Sequence, residues 1–191
     1  MTERTSLEKV LQACLDTFGK VDILIKAAGI TKRAPTVDFP ESECRKIMDT
    51  NLTGALRACQ VFGRHMVDRQ YGHIINIASM GTFRGHFEVA AYSASKAGIG
   101  SLTQFLAVEW ARNGICGNAI APEYFRTALN AELFDGTRRG QEFLMRTPMK
   151  PFGKLEESVG AAIFLASDAA SFVTGVILPV DGGVLASGVN Q

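Results

Sequence analysis

The chain has 191 residues, of which 47% are hydrophobic and 20% are charged, a composition typical of a globular protein. Its 20 lysines and arginines nearly balance its 19 aspartates and glutamates, which argues against a general nucleic-acid or membrane-surface binder because those classes carry a basic excess. At this length we expect a single domain, residues 1–191, with one hydrophobic core.

The N-terminal region predicts a helix followed by a strand. Apolar residues recur at helical spacing in SLEKVLQACLDTF, residues 6–18, and Gly19 fits the position of a helix C-cap. The short apolar run VDILI, residues 21–25, has the length and composition of a buried strand. The segment KAAG, residues 26–29, follows directly after this predicted strand.

The middle of the chain continues the alternation. Residues 40–70 predict one long helix, which Pro40 and Glu41 begin. The apolar run HIINIAS, residues 73–79, predicts a second buried strand, and residues 92–112 predict another helix.

The C-terminal region adds two more strands. GICGNAIAP, residues 114–122, and GVILPVDGG, residues 175–183, predict strands, with the helix KLEESVGAAIFLAS, residues 154–167, between them. The polar segment 123–150 is typical of a substrate lid or loop with short helices. Strands separated by helices favour an α/β fold, with a parallel sheet covered by helices on both faces.

Two residues with catalytic chemistry open the helix at 92–112. Tyr92 and Lys96 are four residues apart, which places a phenol and an ammonium on one helix face. A phenol has a pKa near ~10, and a nearby ammonium lowers this pKa because it stabilises the phenolate. Ser79 ends the second strand, and Asn51 lies within the long helix. Taken singly, these residues also fit a surface pair, a strand end and a tolerated polar helix position.

Six short motifs follow one another along the chain. They are AAG at 27–29, NLTG at 51–54, INIAS at 75–79, YSASK at 92–96, NAIAP at 118–122 and VDGG at 180–183. One YxxxK motif would be weak evidence, whereas six motifs in order, each at a strand end or in a helix, are specific. On these motifs the chain resembles the short-chain dehydrogenase/reductase family over nearly its whole length. The resemblance implies a Rossmann-type fold and NAD(P)-dependent interconversion of an alcohol and a carbonyl.

The resemblance also implies roles for individual residues. Tyr92 would be the catalytic acid/base, and Lys96 would lower the tyrosine pKa and bind the nicotinamide ribose. Ser79 would hydrogen-bond the substrate oxygen, and Asn51 would hold a water that links Lys96 to solvent. No metal site is implied. The positions implied to contact NAD or NADP are Ala28, Gly29, Asn51, Tyr92, Lys96, Pro122 and Thr127.

The opening of the family pattern is absent from this sequence. VDILI matches the family's fourth strand, so the resemblance implies a partial Rossmann-type domain, truncated at the N-terminus, without the first βαβαβ half and its TGxxxGxG loop. GIGSLT at 98–103 lies inside a predicted helix, and SMGTFRG at 79–85 matches the substrate loop. Neither segment fits a phosphate-binding turn between a strand and a helix. We therefore expect NAD or NADP binding to be weak.

Three of the matching segments differ from the family, at four positions in all. Lys26 and Ala27 replace two asparagines, Glu123 replaces the glycine after Pro122, and Gly117 replaces a β-branched residue. The Glu123 carboxylate adds bulk and a charge that opposes a pyrophosphate. Two hypotheses stay open: an active oxidoreductase, or a non-catalytic fragment or pseudoenzyme that retains the family's oligomer surfaces.

Three segments narrow the substrate class. GTFRGHFEVAAYSASK, RTPMKPFGK and DGGVLASG most resemble sugar-acid dehydrogenases of the gluconate type, so a small-molecule sugar acid is the expected substrate. The family resemblance also implies a homo-oligomer, either a dimer or a tetramer. The exposed edge expected at VDILI offers a second route to self-association.

The cysteines and the N-terminal segment indicate the compartment. Cys14, Cys44, Cys59 and Cys116 form no CxxC pair, so we expect reduced thiols and no zinc site. The charged start MTERTSLEKV does not resemble a signal peptide, and no apolar run reaches membrane-spanning length. These features predict a cytoplasmic protein with no membrane or nucleic-acid partner.

Overall fold

In the computed structural model, the described residues are 2–126 and 131–188. Within these ranges, four strands form one parallel sheet in the order β1–β2–β3–β4. The strands are β1 (Ile23–Lys26), β2 (Gly72–Ile77), β3 (Ile115–Pro122) and β4 (Ile177–Val180). The helices are α1 (Arg4–Phe18), α2 (Glu41–Met48), α3 (Gly54–Arg69), α4 (Ala90–Trp110), α5 (Ala131–Phe134), α6 (Arg138–Met145) and α7 (Leu155–Leu165).

Helices cover both faces of this sheet, because successive side chains of a strand point to opposite sides. On β2, the fully buried Ile74 packs with Met66 of α3 and Leu106 of α4. Its neighbour Ile75, also fully buried, packs with Leu165 of α7 on the other face. The predicted parallel α/β fold is confirmed. None of the helices described is long and apolar enough to cross a membrane.

The helix predicted over residues 40–70 is interrupted, so this prediction was wrong in detail. Pro40 caps α2 as expected, but a five-residue π-helical segment, Asp49–Thr53, separates α2 from α3. Asn51 lies in this segment and is fully buried. Such π-helical insertions occur often at functional sites. The apolar periodicity continues across one widened turn, which is why the sequence pattern did not reveal the interruption.

An aromatic cluster holds the segment between β3 and α7 in place. Tyr124 stacks on Phe143 of α6 with ring centroids 4.2 Å apart, and Phe134 of α5 stacks on Phe152 at 4.5 Å. Stacked and edge-to-face pairs of this kind add to the stability gained from burial. The short helices expected within 123–150 are thus present. Thr127, one of the positions implied to bind cofactor, lies outside the described residues.

The β1 strand presents apolar side chains at the edge of the sheet. Among the residues described, it pairs with β2 on one side only. Ile23 and Ile25 are 44% and 48% exposed, although Ile25 is in register with the fully buried Ile75. This geometry matches the expected exposed strand edge, which is a template for pairing with another chain.

We expect Ile25→Lys to reduce self-association of the chain while the fold is retained. A lysine on an edge strand opposes strand pairing, and the side chain of Ile25 is already half exposed. Sedimentation velocity at matched concentration should show a smaller fraction of large species in the variant. Val37→Lys, at a position that is 92% exposed, serves as the control. Equal association of Ile25→Lys and the parent chain would rule out this edge as the contact.

Candidate active site

An open cavity of about 1280 Å³ lies at the end of the sheet where the strands finish. This is the position at which α/β sheets bind ligands. Of the residues that the sequence singled out, the cavity brings together five in its lining: Gly29, Ser79, Tyr92, Lys96 and Pro122. Ala28 and Asn51 are not among the lining residues; Asn51 is fully buried, whereas Ala28 is exposed.

The catalytic pair begins α4. Tyr92 is in the first turn, and the Lys96 ammonium lies 5.5 Å from the centroid of its ring. Lys96 is only 3% exposed, and its Nζ donates a hydrogen bond of 2.6 Å to the carbonyl of Ile77, the last residue of β2. Ser79 follows β2 and caps a short 3₁₀ turn, with its Oγ accepting from the Gly81 N–H at 3.1 Å. The strand end and the helix start therefore place Ser79, Tyr92 and Lys96 at one site.

The pKa of Tyr92 does not shift in the direction that the sequence predicted. Burial raises the pKa of this phenol, hydrogen bonding with Ser79 opposes the rise, and the charge of Glu123 adds to it. Lys96 was expected to lower this pKa, but its ammonium donates to the Ile77 carbonyl instead. The site therefore holds the phenol in its protonated form. A protonated phenol is the form that donates a proton to a carbonyl oxygen.

A second buried lysine lies beside the first. Lys26, the last residue of β1, is 3% exposed, and its Nζ donates to the carbonyls of Ala28 at 2.5 Å and Asn51 at 3.0 Å. Burial lowers the pKa of Lys26. Burial also lowers the pKa of Lys96 to about 8, and the charge of Lys26 contributes to this shift. Sequence reasoning noted Lys26 only as a departure from the family, although a lysine ending a buried strand could have been the signal.

The side chain of Asn51 joins two segments of the site. Its Nδ2 donates to the Ile30 carbonyl at 2.9 Å and to Ser95 Oγ at 3.0 Å, and its Oδ1 accepts from the Ile30 N–H at 2.9 Å. The Asn51 amide therefore ties the loop after β1 to α4. The backbone carbonyl of Asn51 accepts a hydrogen bond from Lys26 Nζ. The water-holding role implied for Asn51 stays a prediction.

The loop after β1 leaves space next to Lys96. A Cβ atom at Gly29 would lie 3.4 Å from Asn51 Oδ1 and 3.7 Å from Lys96 Nζ. A side chain at this position would therefore fill the cradle beside the lysine. Glycine here suits the close approach of a nicotinamide ribose, which is the group that the family resemblance implies.

The far wall of the cavity is basic, and the sequence did not predict this. Arg84 donates to Glu123 Oε1 at 3.0 Å and to the Tyr124 hydroxyl at 3.2 Å. His86 Nε2 lies 3.4 Å from the same Glu123 oxygen. The Glu123 carboxylate was expected to present a free charge to a pyrophosphate, but in the structure it is largely buried and paired with Arg84. The signal in the sequence was GTFRGH, which places two basic residues between Ser79 and Tyr92.

Comparison with known proteins gives consistent results. A family model described as enoyl-(acyl carrier protein) reductase matches residues 1–185. The 2-dehydro-3-deoxy-D-gluconate 5-dehydrogenase of Bacillus subtilis (strain 168) is 43% identical over 166 residues, covering 87% of this chain and 65% of that protein. The 5-keto-D-gluconate 5-reductase of Escherichia coli (strain K12) is 37% identical over 185 residues, covering 97% and 73%.

Solved structures extend the similarity to the fold. A gluconate 5-dehydrogenase from Burkholderia cenocepacia J2315, in complex with NADP and tartrate, matches with a TM-score of 0.93 at 37% identity. The match covers 98% of this chain and 73% of that one. The chain therefore spans about two thirds to three quarters of the length of these relatives. With the motifs, the parallel sheet and the site geometry in agreement, the chain belongs to the short-chain dehydrogenase/reductase family.

Proposed function

We propose that this chain carries the proton-transfer site of an NAD(P)-dependent oxidoreductase that interconverts an alcohol and a carbonyl on a sugar acid. One observation carries the proposal: Tyr92, Ser79 and Lys96 line the same cavity, with the phenol held protonated by burial. The relatives named above, dehydrogenases and reductases of sugar acids, support this substrate class. The hypothesis of a non-catalytic pseudoenzyme is not favoured.

The chemistry assigned to the chain's own residues is a proton transfer. In the reducing direction, the Tyr92 phenol donates its proton to the substrate carbonyl oxygen as that oxygen gains negative charge. The Ser79 hydroxyl donates a hydrogen bond to the same oxygen and so positions it. The Lys96 ammonium lies 5.5 Å from the centroid of the Tyr92 ring, and it would stabilise the phenolate that remains by turning from the Ile77 carbonyl toward it. A bound nicotinamide supplies the hydride, and in the oxidising direction it accepts one.

The same geometry supports a location for one end of the cofactor. We assign the nicotinamide ribose to the space beside Gly29 and Lys96, next to Tyr92, because a Cβ at Gly29 would fill that space. Pro122 lines the neighbouring wall. The contacts implied for Ala28, Asn51 and Thr127 remain part of this proposal. Both NAD and NADP fit it.

The affinity for NADH and NADPH tests whether residues 1–191 bind the cofactor without a TGxxxGxG turn. We expect no saturable binding of NADH or NADPH in the micromolar range by calorimetry. The reason is that the 191-residue sequence contains no TGxxxGxG turn to bind the pyrophosphate. The 5-keto-D-gluconate 5-reductase of Escherichia coli serves as the positive control. A tight single-site isotherm for this chain would contradict the expectation.

Activity tests the proposed function itself. The chain, alone and co-expressed with the N-terminal part of a relative, is assayed for NADPH oxidation with 5-keto-D-gluconate and for NADP⁺ reduction with D-gluconate. We expect weak or no turnover by the chain alone and clear turnover by the co-expressed pair. Absence of turnover from a well-folded pair with these and other sugar acids would reject the proposal.

The remaining assignments concern assembly and compartment. We propose a homo-oligomer, and the apolar side chains of Phe105 and Val108 support it because they are 72% and 83% exposed on α4. We propose a cytoplasmic location, which the free thiols of all four cysteines fit.

A further inference from the structure

The basic wall of the cavity holds donor atoms that the proposed proton transfer does not use. Arg84 Nε, His86 Nε2 and Arg139 Nε are buried and have no hydrogen-bond partner within the part of the chain that the structure describes. All three residues line the cavity that contains Tyr92. A buried donor without a partner costs about 1–3 kcal/mol, so the two guanidinium Nε–H groups in one cavity point to a ligand that accepts hydrogen bonds. His86 Nε2, which lies 3.4 Å from Glu123 Oε1, adds a third donor when it carries a proton.

The charges around these donors favour an anion as that ligand. Arg84 and His86 share a single carboxylate, that of Glu123, through the same Oε1 atom. One carboxylate does not saturate a guanidinium, which presents five donors.

The other charged groups facing Arg139 have partners of their own. Arg33 pairs with Glu88 at 2.6 Å, and Arg146 pairs with Glu142 at 2.9 Å. The Arg139 guanidinium lies 5.2 Å from the centroid of the Phe143 ring, which orients it without neutralising its charge. The wall therefore carries an excess of positive charge.

We infer that Arg84, with Arg139 and His86, forms a carboxylate subsite that binds the acid group of the substrate while Tyr92 contacts the reacting oxygen. Arginine is suited to this role because its planar fork matches the two oxygens of a carboxylate. The inference rests on the proposed function and adds to it the residues that select an acid over a neutral sugar.

Glu123 has a defined part in this subsite. Its carboxylate accepts from Arg84, so it competes with the substrate carboxylate for the same guanidinium. Removal of the Glu123 charge should therefore strengthen the binding of an acid, whereas removal of the Arg84 charge should weaken it.

The test compares two ligands that differ at one carbon. D-gluconate carries a carboxylate where D-glucitol carries a hydroxymethyl group, and binding of each to the full chain is measured without cofactor by saturation-transfer NMR titration. We expect the parent chain to bind D-gluconate at least about tenfold more tightly than D-glucitol, because charge-assisted hydrogen bonds contribute differences of this size. Equal affinities, or no D-gluconate binding, would overturn the inference.

Matched variants assign the effect to residues. Glu123→Gln should tighten D-gluconate binding about threefold or more, since it removes the competing charge. Arg84→Met is made in the Glu123→Gln background, so that no unpaired carboxylate is left buried, and should lower the affinity at least about tenfold. If the Arg84→Met, Glu123→Gln double variant does not fold, Arg139→Met tests the subsite in its place. Arg45→Met, on the exposed face of α2, is the control.

The outcomes separate this inference from the proposed function. A preference for D-gluconate that depends on Arg84, in a chain that shows no turnover even when co-expressed with an N-terminal partner, would retain the subsite and reject the oxidoreductase proposal. Turnover by a chain that binds D-gluconate and D-glucitol with equal affinity would retain the oxidoreductase proposal and reject the subsite. Unchanged D-gluconate affinity in both the Arg84 and Arg139 variants would overturn the subsite.

Discussion

Replacement of Tyr92 by phenylalanine is expected to lower any dehydrogenase or reductase turnover at least about a hundredfold, because general acid–base catalysis contributes 10²–10⁴-fold and this hydroxyl supplies it. The ring is retained, so its packing at the start of α4 should be unchanged. Initial rates in both directions, at saturating cofactor and with the N-terminal partner present, measure the effect.

The chain offers a matched control for this substitution. Tyr71 donates to Asp168 at 3.1 Å and lies outside the cavity, so Tyr71→Phe makes the same chemical change away from the site. Its turnover should stay close to that of the parent chain. Near-normal turnover in Tyr92→Phe, with the fold confirmed by circular dichroism, would show that Tyr92 is not the acid.

Replacement of Lys96 by methionine is expected to change activity and stability in opposite directions. Turnover should fall about tenfold or more, because the phenolate loses the ammonium that stabilises it. The free energy of unfolding at neutral pH should rise. Burial lowers the pKa of Lys96 from 10.5 to about 8, which at about 1.4 kcal/mol for each pKa unit corresponds to a penalty on the order of 3 kcal/mol for the charged form. In the variant the Ile77 carbonyl loses its hydrogen-bond donor, which offsets part of this gain. We therefore expect a net increase of about 1–2 kcal/mol in the free energy of unfolding.

The pH dependence of the stability gain distinguishes removal of the buried Lys96 charge from a general change in packing. Below pH 8 the lysine is protonated in both the folded and the unfolded chain, and the full penalty is present. Between about 8 and 10.5 the unfolded chain binds more protons than the folded chain, so the stability of the parent chain rises with pH. The stability difference between Lys96→Met and the parent chain should therefore shrink across this range.

Urea denaturation at several pH values measures both predictions on stability. Lys46→Met, at an exposed position of α2, is the control and should leave the free energy of unfolding unchanged. A Lys96→Met variant that is less stable than the parent chain at neutral pH, or a difference that does not vary with pH, would contradict the assignment of a buried charge to Lys96.

The expectations that the structure confirms depend on local patterns. The parallel α/β fold follows from the alternation of helical and strand periodicity, and Gly19 ends α1 with a φ of 74° as its position predicted. The spacing of Tyr92 and Lys96 is a property of one helix, and Ser79 is placed by the end of one strand. Each of these features needs only residues that are close in sequence, so the sequence by itself determined them.

The features that decide the chemistry depend on contacts between distant segments. Lys26 reaches the carbonyl of Asn51 across 25 residues, and Arg84 reaches Glu123 across 39. The pKa of Tyr92 is raised because packing removes water from the phenol, and no local pattern records how much water is removed. The tertiary structure alone decided these points, because desolvation and charge pairing depend on which segments meet in space.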